Sequence, residues 1–181
     1  MGSDKAFLEL DGRSLLARAL DLLRAVTNET YIVGARETFA DFAPVVEDVY
    51  PGRGPLGGIH AALSATRTEL NLVLAVDTPF LTADLLRFLA RQAEDSQALV
   101  TVPRAGGRFH PLCAVYRRGF RDAAERALEA GRNKVDALFA GAEVRIIEEV
   151  ELARLAFSAQ MFDNLNSPAE FEDARRRLQA R

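Results

Sequence analysis

The sequence contains one cysteine, Cys113, among its 181 residues. A single cysteine cannot form an internal disulfide and gives no support to a zinc site, so we expect a reducing, cytoplasmic setting. No apolar stretch approaches the length of about 18 to 20 residues that crosses a bilayer, and the N-terminus has no signal-peptide core. We therefore expect a cytosolic protein without a membrane span.

The sequence also lacks an excess of basic residues. Its formal net charge is -3 and its isoelectric point is about 5.5, which gives no general reason to expect a nucleic acid partner. Small molecules are the expected ligands. With 49% hydrophobic and 27% charged residues, the chain is large enough for one buried core and too short to favour two domains.

The most informative stretch is a short apolar run, residues 72–80, which contains Asp77, Thr78 and Pro79 near its end. A run this short without polar alternation is typical of a strand buried on both faces, as in a parallel sheet covered by helices. Asp77 would then stand at the carboxyl end of the strand, where open α/β sheets bind ligands. From its position alone, Asp77 is either a metal ligand or a cap for the turn that follows.

Short apolar runs alternate with helical patterns along the chain, which predicts an α/β fold with right-handed crossovers. We expect helices near residues 14–26, 38–42, 57–66, 83–93, 120–130 and 135–139, and strands near residues 30–33, 44–48, 72–77, 98–103 and 144–147. Residues 104–116 predict a hairpin-like insertion beside a mostly parallel sheet. Ser167, Pro168 and Glu170 predict a capping box at the start of a final helix.

The segment of residues 51–59 is the richest in glycine and proline, and it leads into a helical pattern. Glycines let the backbone approach a ligand closely, and a helix start offers free N–H groups to an anion or a polar base edge. Such loops are also common as plain connections, so the segment alone leaves both interpretations open. His60, inside the following helix, is expected to be packed or at the surface, and not a ligand.

Several segments, taken in order, together resemble the molybdenum cofactor guanylyltransferases. These segments are Met1-Gly2-Ser3-Asp4-Lys5-Ala6, Glu47-Asp48, Gly54-Pro55-Leu56-Gly57-Gly58, Asp77-Thr78-Pro79, His110-Pro111 and Asn164-Leu165-Asn166-Ser167-Pro168. The resemblance spans almost the whole chain. The ordered set is specific to the wider nucleotidyltransferase superfamily, and Asp4-Lys5 with the Asn-x-Asn segment favours the guanylyl branch.

The resemblance implies a Rossmann-like nucleotidyltransferase fold with a mostly parallel sheet and helices on both faces. It implies Mg²⁺-dependent transfer of GMP from GTP to molybdopterin-bound molybdenum, with release of pyrophosphate. It also implies transient contacts with molybdenum-insertion proteins and with chaperones of molybdoenzymes.

The resemblance also implies roles for individual residues. Lys5 would neutralise the triphosphate, a role that suits a compact ammonium group, and Asp77 would hold Mg²⁺. These two catalytic residues would share the nucleotide with a further set: Val33, Asp48, Gly54, Pro55, Leu56 and Gly57. The pterin phosphate would lie near another set: His110, Arg132, Lys134, Asn164 and Asn166.

Each of these residues also has an ordinary interpretation. Lys5 by itself is a typical exposed lysine, and Asp48 can satisfy its own loop as an Asx turn. His110 precedes a proline, which alone favours an extended backbone. Loop asparagines are usually structural, and the charges in the polar segment of residues 131–134 are by default solvated.

The N-terminus departs from the family pattern. Family members begin with a strand and a Leu-Ala-Gly-Gly-x-x-x-Arg-Met-Gly loop whose N–H groups wrap the phosphates, whereas this chain starts at the Met-Gly end of that loop. We therefore expect a single domain without its first strand and phosphate loop. The explanations are a start codon assigned too late, a recombinant form that omits the beginning, or a chain that truly lacks it. The first two are favoured, because a missing central strand leaves buried backbone groups unpaired.

Two other functions remain open at this point. One is a related nucleotidyltransferase that uses CTP on the same cofactor or acts on a sugar phosphate. The other is a non-catalytic module that binds the cofactor without the phosphate loop.

Overall fold

The computed structural model describes residues 5–179 of the chain, so the predicted contribution of Asp4 lies outside the described residues. The helices are α1 (Leu15–Arg24), α2 (Arg36–Phe39), α3 (Gly54–Ala65), α4 (Ala83–Glu94), α5 (Phe120–Glu129), α6 (Asp136–Phe139), α7 (Glu149–Arg154) and α8 (Pro168–Gln179), with 3₁₀ turns at Lys5–Phe7 and Ala159–Phe162. The strands are β1 (Glu9–Leu10), β2 (Arg13–Ser14), β3 (Ile32–Val33), β4 (Val45–Val46), β5 (Leu70–Leu74), β6 (Val100–Ala105), β7 (Arg108–Phe109), β8 (Cys113–Arg117) and β9 (Val144–Glu148).

The main sheet is mixed. β9 pairs with β6 in parallel, and β8 lies between β5 and β6 and runs antiparallel to both. β5, β6 and β9 therefore share one direction. The predicted insertion beside the sheet instead supplies β8 inside it, because the four residues 113–116 are all buried and apolar and suit a central position.

Helices cover both faces of this sheet, which confirms the predicted α/β fold. Along β8, Ala114 and Tyr116 join the core that contains residues of α3 and α5. The alternate residues Cys113 and Val115 join the core that contains residues of α4. This period of two is the pleat of a strand buried on both sides.

Two small sheets flank the main one. β1 and β2 form a hairpin whose turn residues, Asp11 and Gly12, have φ angles of 54° and 71°, as a two-residue type I′ turn requires. β3 and β4 pair in parallel. Val33 at the end of β3 and Asp77 just after β5 line one cavity, and the carboxyl ends of strands are where a ligand is expected in an α/β fold.

Two boundaries differ from the sequence prediction near the site. β5 ends at Leu74, and only Ala75 continues the pairing, through its N–H to the Leu112 oxygen at 2.8 Å, so Asp77 lies in the turn and not in the strand. α3 begins at Gly54, earlier than predicted, because proline is tolerated in the first turn of a helix.

The end of the chain contains one confirmed prediction and one omission. Ser167 Oγ accepts from the Glu170 N–H at 3.3 Å, and Glu170 Oε2 accepts from the Ser167 N–H at 2.8 Å, which is the predicted capping box. α7 was not predicted; it starts with a similar reciprocal cap between Glu148 and Glu151. None of the helices within residues 5–179 combines the length and the hydropathy needed to cross a membrane.

Candidate active site

Asp77 is held by its main chain, which leaves its carboxylate available. Its carbonyl oxygen accepts from the Leu165 N–H at 2.9 Å, and the next residue, Thr78, donates from Oγ1 to the Ala75 oxygen at 3.0 Å. These two bonds anchor the turn to the end of β5 and to the segment before α8. The turn is therefore already secured without the Asp77 side chain, which argues against a purely structural role for that carboxylate.

The Asp77 carboxylate is partly buried and incompletely paired. Its Oδ1 atom is buried and has no hydrogen-bond partner within residues 5–179. Burial raises the pKa of Asp77, while the nearby Lys5 ammonium and its own main-chain N–H lower it. A buried acceptor without a partner is uncommon in folded proteins and fits a site that binds a cation.

The donor set around Asp77 suits magnesium better than a metal held by protein alone. Within residues 5–179 there is no group of three or more histidine, cysteine or acidic side chains that could hold a metal ion. Magnesium is commonly bound by one or two carboxylates, with the remaining ligands supplied by water and substrate phosphates. The partnerless Oδ1 atom fits that mode of binding.

Lys5 lies beside Asp77 and connects the start of the described chain to the segment before α8. Its ammonium donates to Asn166 Oδ1 at 2.8 Å. Asn166 is in turn fixed by its main-chain N–H, which donates to Glu170 Oε2 at 2.7 Å. Lys5 is thus oriented next to the carboxylate by a contact between residues 161 positions apart in sequence.

A cavity of about 450 Å³ opens between the ends of β3 and β5 and the start of α3. Its lining includes Val33, Asp48, Pro55 and Asp77. Four of the predicted nucleotide-binding residues are therefore brought to one cavity. Burial raises the pKa of Asp48, although the neighbouring His60 lowers it.

The first turn of α3 lies at this cavity, where Pro55 and Gly58 line the wall. The residue that caps α3, Arg53, makes no side-chain hydrogen bond to the first turn, and Gly54 has a φ angle of 63°. A Cβ atom on Gly57 would lie 3.1 Å from the Tyr50 carbonyl oxygen, so a side chain there would push the preceding loop away. Leu56 is fully buried in the core, which leaves only its main chain for a ligand.

A second cavity, of about 210 Å³, lies on the other side of Asp77. Asp77 and Pro55 line it together with His110, Asn164 and Arg108. Asp77 therefore stands at the boundary between the cavity that contains Asp48 and the cavity that contains His110. This places one carboxylate between two spaces, as a transfer between two substrates requires.

His110 is rigidly held in the second cavity. Its ring stacks on Phe162 with centroids 4.4 Å apart, and its Nε2 atom lies 3.1 Å from the Ala105 oxygen. Burial lowers the pKa of His110, so the ring is neutral at pH 7. Because a carbonyl can only accept, the proton is on Nε2, which leaves Nδ1 as an acceptor.

A third cavity, of about 440 Å³, continues from the second one along the start of α8. Asn164, Asn166 and Arg108 line it. The Arg108 side chain is exposed and makes no ion pair or hydrogen bond within residues 5–179, so its charge is available to an anion. The sequence analysis missed Arg108; its position beside two turn glycines and two residues before His110 was the available signal.

The structure separates the remaining two predicted residues from this group. Arg132 and Lys134 are exposed in the turn that follows α5, and neither lines the three cavities described above. Asp136, two residues after Lys134, is close enough for its charge to act on His110, where it partly offsets the lowering of the pKa by burial. His60 is buried as expected, with an edge-on contact to Tyr50 at 5.1 Å between ring centroids.

Comparison with known proteins shows which family the chain belongs to. Residues 1–146 match the model of the MobA-like NTP transferase domain. The chain is 36% identical over 177 residues to a probable molybdenum cofactor guanylyltransferase from Pelotomaculum thermopropionicum, covering 97% of this chain and 85% of that protein. It is 34% identical to the molybdenum cofactor guanylyltransferase of Desulfosudis oleivorans, covering 99% of this chain and 89% of that protein.

Solved structures with the same fold include a protein of molybdopterin-guanine dinucleotide biosynthesis. The crystal structure of molybdopterin-guanine dinucleotide biosynthesis protein A from Archaeoglobus fulgidus superposes with a TM-score of 0.86 at 25% identity, over 99% of this chain and 93% of that one. A cytidylyltransferase from Thermus thermophilus shares the fold with a TM-score of 0.72 at 22% identity, over 97% of this chain and 94% of that one. The chain belongs to the family of proteins with a MobA-like NTP transferase domain, which it shares with relatives described as molybdenum cofactor guanylyltransferases.

Proposed function

We propose that this chain transfers GMP from GTP to molybdopterin-bound molybdenum and releases pyrophosphate. The observation that carries the proposal is the position of Asp77 between two cavities, one lined by Asp48 and Pro55 and the other by His110 and Asn164. A nucleotide in the first and a pterin phosphate in the second would meet beside a single carboxylate.

We assign Mg²⁺ to Asp77 as the cofactor. When bound, the ion would supply positive charge that offsets the negative charge of the phosphates during the transfer. The partnerless, buried Oδ1 atom supports this assignment. Lys5 adds a second positive charge, oriented by its 2.8 Å bond to Asn166 Oδ1, to neutralise the triphosphate.

The nucleotide side depends mainly on backbone shape. The first-turn N–H groups of α3 favour the phosphates or a base edge, and Gly57 lets the helix pack against the loop that carries Asp48. Val33 closes the cavity at the end of β3. These groups hold the nucleotide and do no covalent chemistry, so catalysis comes from alignment and charge.

The pterin side depends on polar groups with fixed positions. We propose that Asn164, Asn166 and the Nδ1 atom of His110 orient the acceptor, and that Arg108 attracts its phosphate. Arg132 and Lys134 would assist only at the outer end of the acceptor, since both are exposed and outside the cavities.

We also propose a cytoplasmic location and transient contacts with the proteins that load molybdenum and receive the finished cofactor. The free, fully buried Cys113 is consistent with a reducing compartment. Burial raises the pKa of this thiol to about 12, which makes it inert.

The experiment that tests the function follows α-labelled GTP in the presence of Mg²⁺ and molybdopterin-bound molybdenum. We expect label in the cofactor and an equal amount of pyrophosphate, with CTP a poor substitute. The chain and a form extended by its in-frame upstream residues are measured side by side. A clear preference for CTP would overturn the guanylyl assignment, and nucleotide binding without product in either form would favour a non-catalytic binding module.

A further inference from the structure

Two segments that are far apart in the sequence meet at the cavity of about 210 Å³, where we place the acceptor. The first, residues 77–80, follows the end of β5 and contains Asp77; we call it the Asp77 turn. The second, residues 160–166, precedes α8 and contains Asn164 and Asn166; we call it the asparagine segment. Asp77 and Asn164 both line the cavity, so the placement of one segment against the other determines its shape.

The two segments are joined at Leu165. Its N–H donates to the Asp77 oxygen at 2.9 Å, and its side chain shares an apolar cluster with Phe80 of the Asp77 turn and Ala174 of α8. These contacts fix the asparagine segment at one residue. The residues before Leu165 need a second point of attachment if the segment is to keep one orientation.

Arg177, on α8, supplies that second attachment. Its Nη1 atom donates to Asp163 Oδ2 at 2.9 Å, and its Nη2 atom donates to the Gln160 oxygen at 3.4 Å. The centre of its guanidinium group, Cζ, lies 4.0 Å from the centroid of the Phe80 ring. A single side chain therefore contacts both the asparagine segment and the Asp77 turn.

This arrangement depends on the shape of a guanidinium group. The group is planar, so it can rest on an aromatic face while its N–H groups donate to oxygens at its edge. A lysine ammonium can pair with a carboxylate but has no plane with which to stack. The Phe80 ring is buried, with 3% of the residue exposed, and so gives Arg177 a fixed support.

The two asparagines differ in how they are held. Asn166 has support of its own, because its main-chain N–H donates to Glu170 Oε2 at 2.7 Å. Asn164 makes no side-chain hydrogen bond within residues 5–179, so its orientation depends on its two neighbours. Those neighbours are Asp163, which Arg177 holds, and Leu165, which the Asp77 oxygen holds.

Arg177 also lines the cavity of about 440 Å³, but its guanidinium group is already engaged. Two of its nitrogens donate within the protein, and one of its faces lies on an aromatic ring. Arg108, which lines the same cavity, has no such partners and is the better group to receive an anion. Arg177 therefore acts on a ligand through the residues that it holds.

Stability does not account for the arrangement. The ion pair between Arg177 and Asp163 is partly exposed, and pairs of this kind contribute little to the stability of a protein. The adjacent Arg176 provides a direct comparison. It pairs with Asp173 of its own helix, its side chain is 75% exposed, and it lines none of the three cavities.

We propose that Arg177 is a positioning residue of the acceptor site, which holds the asparagine segment so that Asn164 faces the acceptor at a fixed distance from Asp77. The inference rests on the proposed function where it names the acceptor as the ligand of Asn164. The contacts of Arg177 themselves are the same whichever nucleotide or acceptor the site uses.

The kinetic test compares Arg177→Met with Arg176→Met, which removes a neighbouring arginine of the same helix. We expect Arg177→Met to raise KM for the acceptor about tenfold, while Arg176→Met changes it less than about twofold. The Kd for GTP should stay within about twofold in both variants, because Lys5 is oriented by Asn166, which Glu170 supports. Arg177→Lys keeps the charge but not the stacking and should raise KM to a smaller extent.

A double variant shows whether Arg177 acts through Asn164. In the Asn164→Ala background, Arg177→Met should raise KM for the acceptor by less than about twofold further, because the group that it orients is already absent. Increases that multiply in the double variant would overturn the proposal, since they would mean that Arg177 binds the acceptor independently. A fall in kcat at unchanged KM in Arg177→Met would also overturn it, because that pattern reports a loss of folded protein only.

Amide hydrogen exchange at Leu165, followed by NMR, tests the same contact without any substrate. The Leu165 N–H should exchange at least about fivefold faster in Arg177→Met than in Arg176→Met. The reference is the N–H of Leu99, which donates to the Glu143 oxygen just before β6 and should exchange equally in both variants. Equal exchange at Leu165 overturns the inference. If the wild-type protein transfers no GMP, the proposed function fails, and exchange at Leu165 still decides whether Arg177 holds the segment.

Discussion

Replacement of Asp77 with asparagine should stabilise the folded protein while it abolishes turnover. The buried Oδ1 atom has no partner within residues 5–179, and burial raises the pKa of the carboxyl group. The folded state therefore carries a charge that it solvates poorly. Asparagine has nearly the same shape and no charge, so Asp77→Asn removes the cost of the buried charge without opening a cavity.

The size of the effect follows from the environment of the carboxylate. A buried group without a partner costs about 1–3 kcal/mol when it is neutral and more when it is charged, so asparagine, whose oxygen would also lack a partner, removes only the excess cost of the charge. Asp77 is only partly buried, and the Lys5 ammonium offsets some of the penalty. We therefore expect a gain in the free energy of unfolding of about 1 kcal/mol at pH 7 without Mg²⁺, which corresponds to a rise in Tm of about 2–4 °C.

The gain should depend on pH in a defined direction. The unfolded carboxyl group loses its proton near the usual value of 3.8, whereas the folded group, with its raised pKa, loses it at higher pH. The native protein thus loses stability as pH rises from about 3.8 through the folded pKa. The advantage of Asp77→Asn should be complete above the folded pKa and vanish well below pH 3.8, where the wild-type carboxyl group is protonated in both the folded and the unfolded state.

Thermal unfolding followed by circular dichroism between pH 3.5 and pH 7.5 measures the stability effect, with Asp41→Asn, at an exposed aspartate, as the matched control. Turnover of Asp77→Asn should fall by about a hundredfold or more, since the loss of a metal ligand removes several kcal/mol of transition-state stabilisation. A variant that is less stable than wild type at pH 7, or one that keeps its turnover, would refute the reasoning.

Three further predictions concern the walls of the site. In urea titration, Gly57→Ala should have a free energy of unfolding about 1 kcal/mol lower than that of Gly58→Ala. The Cβ atom added at Gly57 would lie 3.1 Å from a carbonyl oxygen, whereas the one added at Gly58 would lie 3.8 Å from a methyl group. Equal stabilities would contradict the close approach at Gly57. Lys5→Met should raise the Kd for GTP about tenfold in calorimetry and Lys5→Arg less, and unchanged affinity in Lys5→Met would remove the lysine from the triphosphate site. Asn164→Ala should raise KM for the acceptor more than Lys134→Ala does, because only Asn164 lines a cavity with Asp77, and the reverse order would relocate the pterin.

Local signals in the sequence were enough to place three of the helices, α1, α4 and α8. Ser14, Thr82 and Ser167 were each followed by a helical pattern, and each accepts a hydrogen bond from the first turn of a helix. Caps and apolar stripes involve residues three or four positions apart, so they can be recognised in the sequence itself. The same holds for the apolar run that became β5.

Features that depend on residues far apart in the sequence could not be predicted from such local signals. The pairing of Lys5 with Asn166 joins the two ends of the chain, and no spacing rule connects them. The central place of β8 depends on its pairing with β5 and β6, which are distant in sequence; the apolar residues of β8 suit that place but do not by themselves specify its neighbours. Arg108 became a candidate only when the fold placed it at the junction of two cavities.

The most direct test of the central claim is the transfer of α-labelled GMP at saturating molybdopterin-bound molybdenum, measured for wild type and Asp77→Asn with and without Mg²⁺. The account predicts label in the cofactor only for the wild-type protein, only with Mg²⁺, and with GTP preferred over CTP. Transfer that persists in Asp77→Asn would contradict the placement of the metal at Asp77, and transfer from CTP in preference to GTP would contradict the guanylyl assignment.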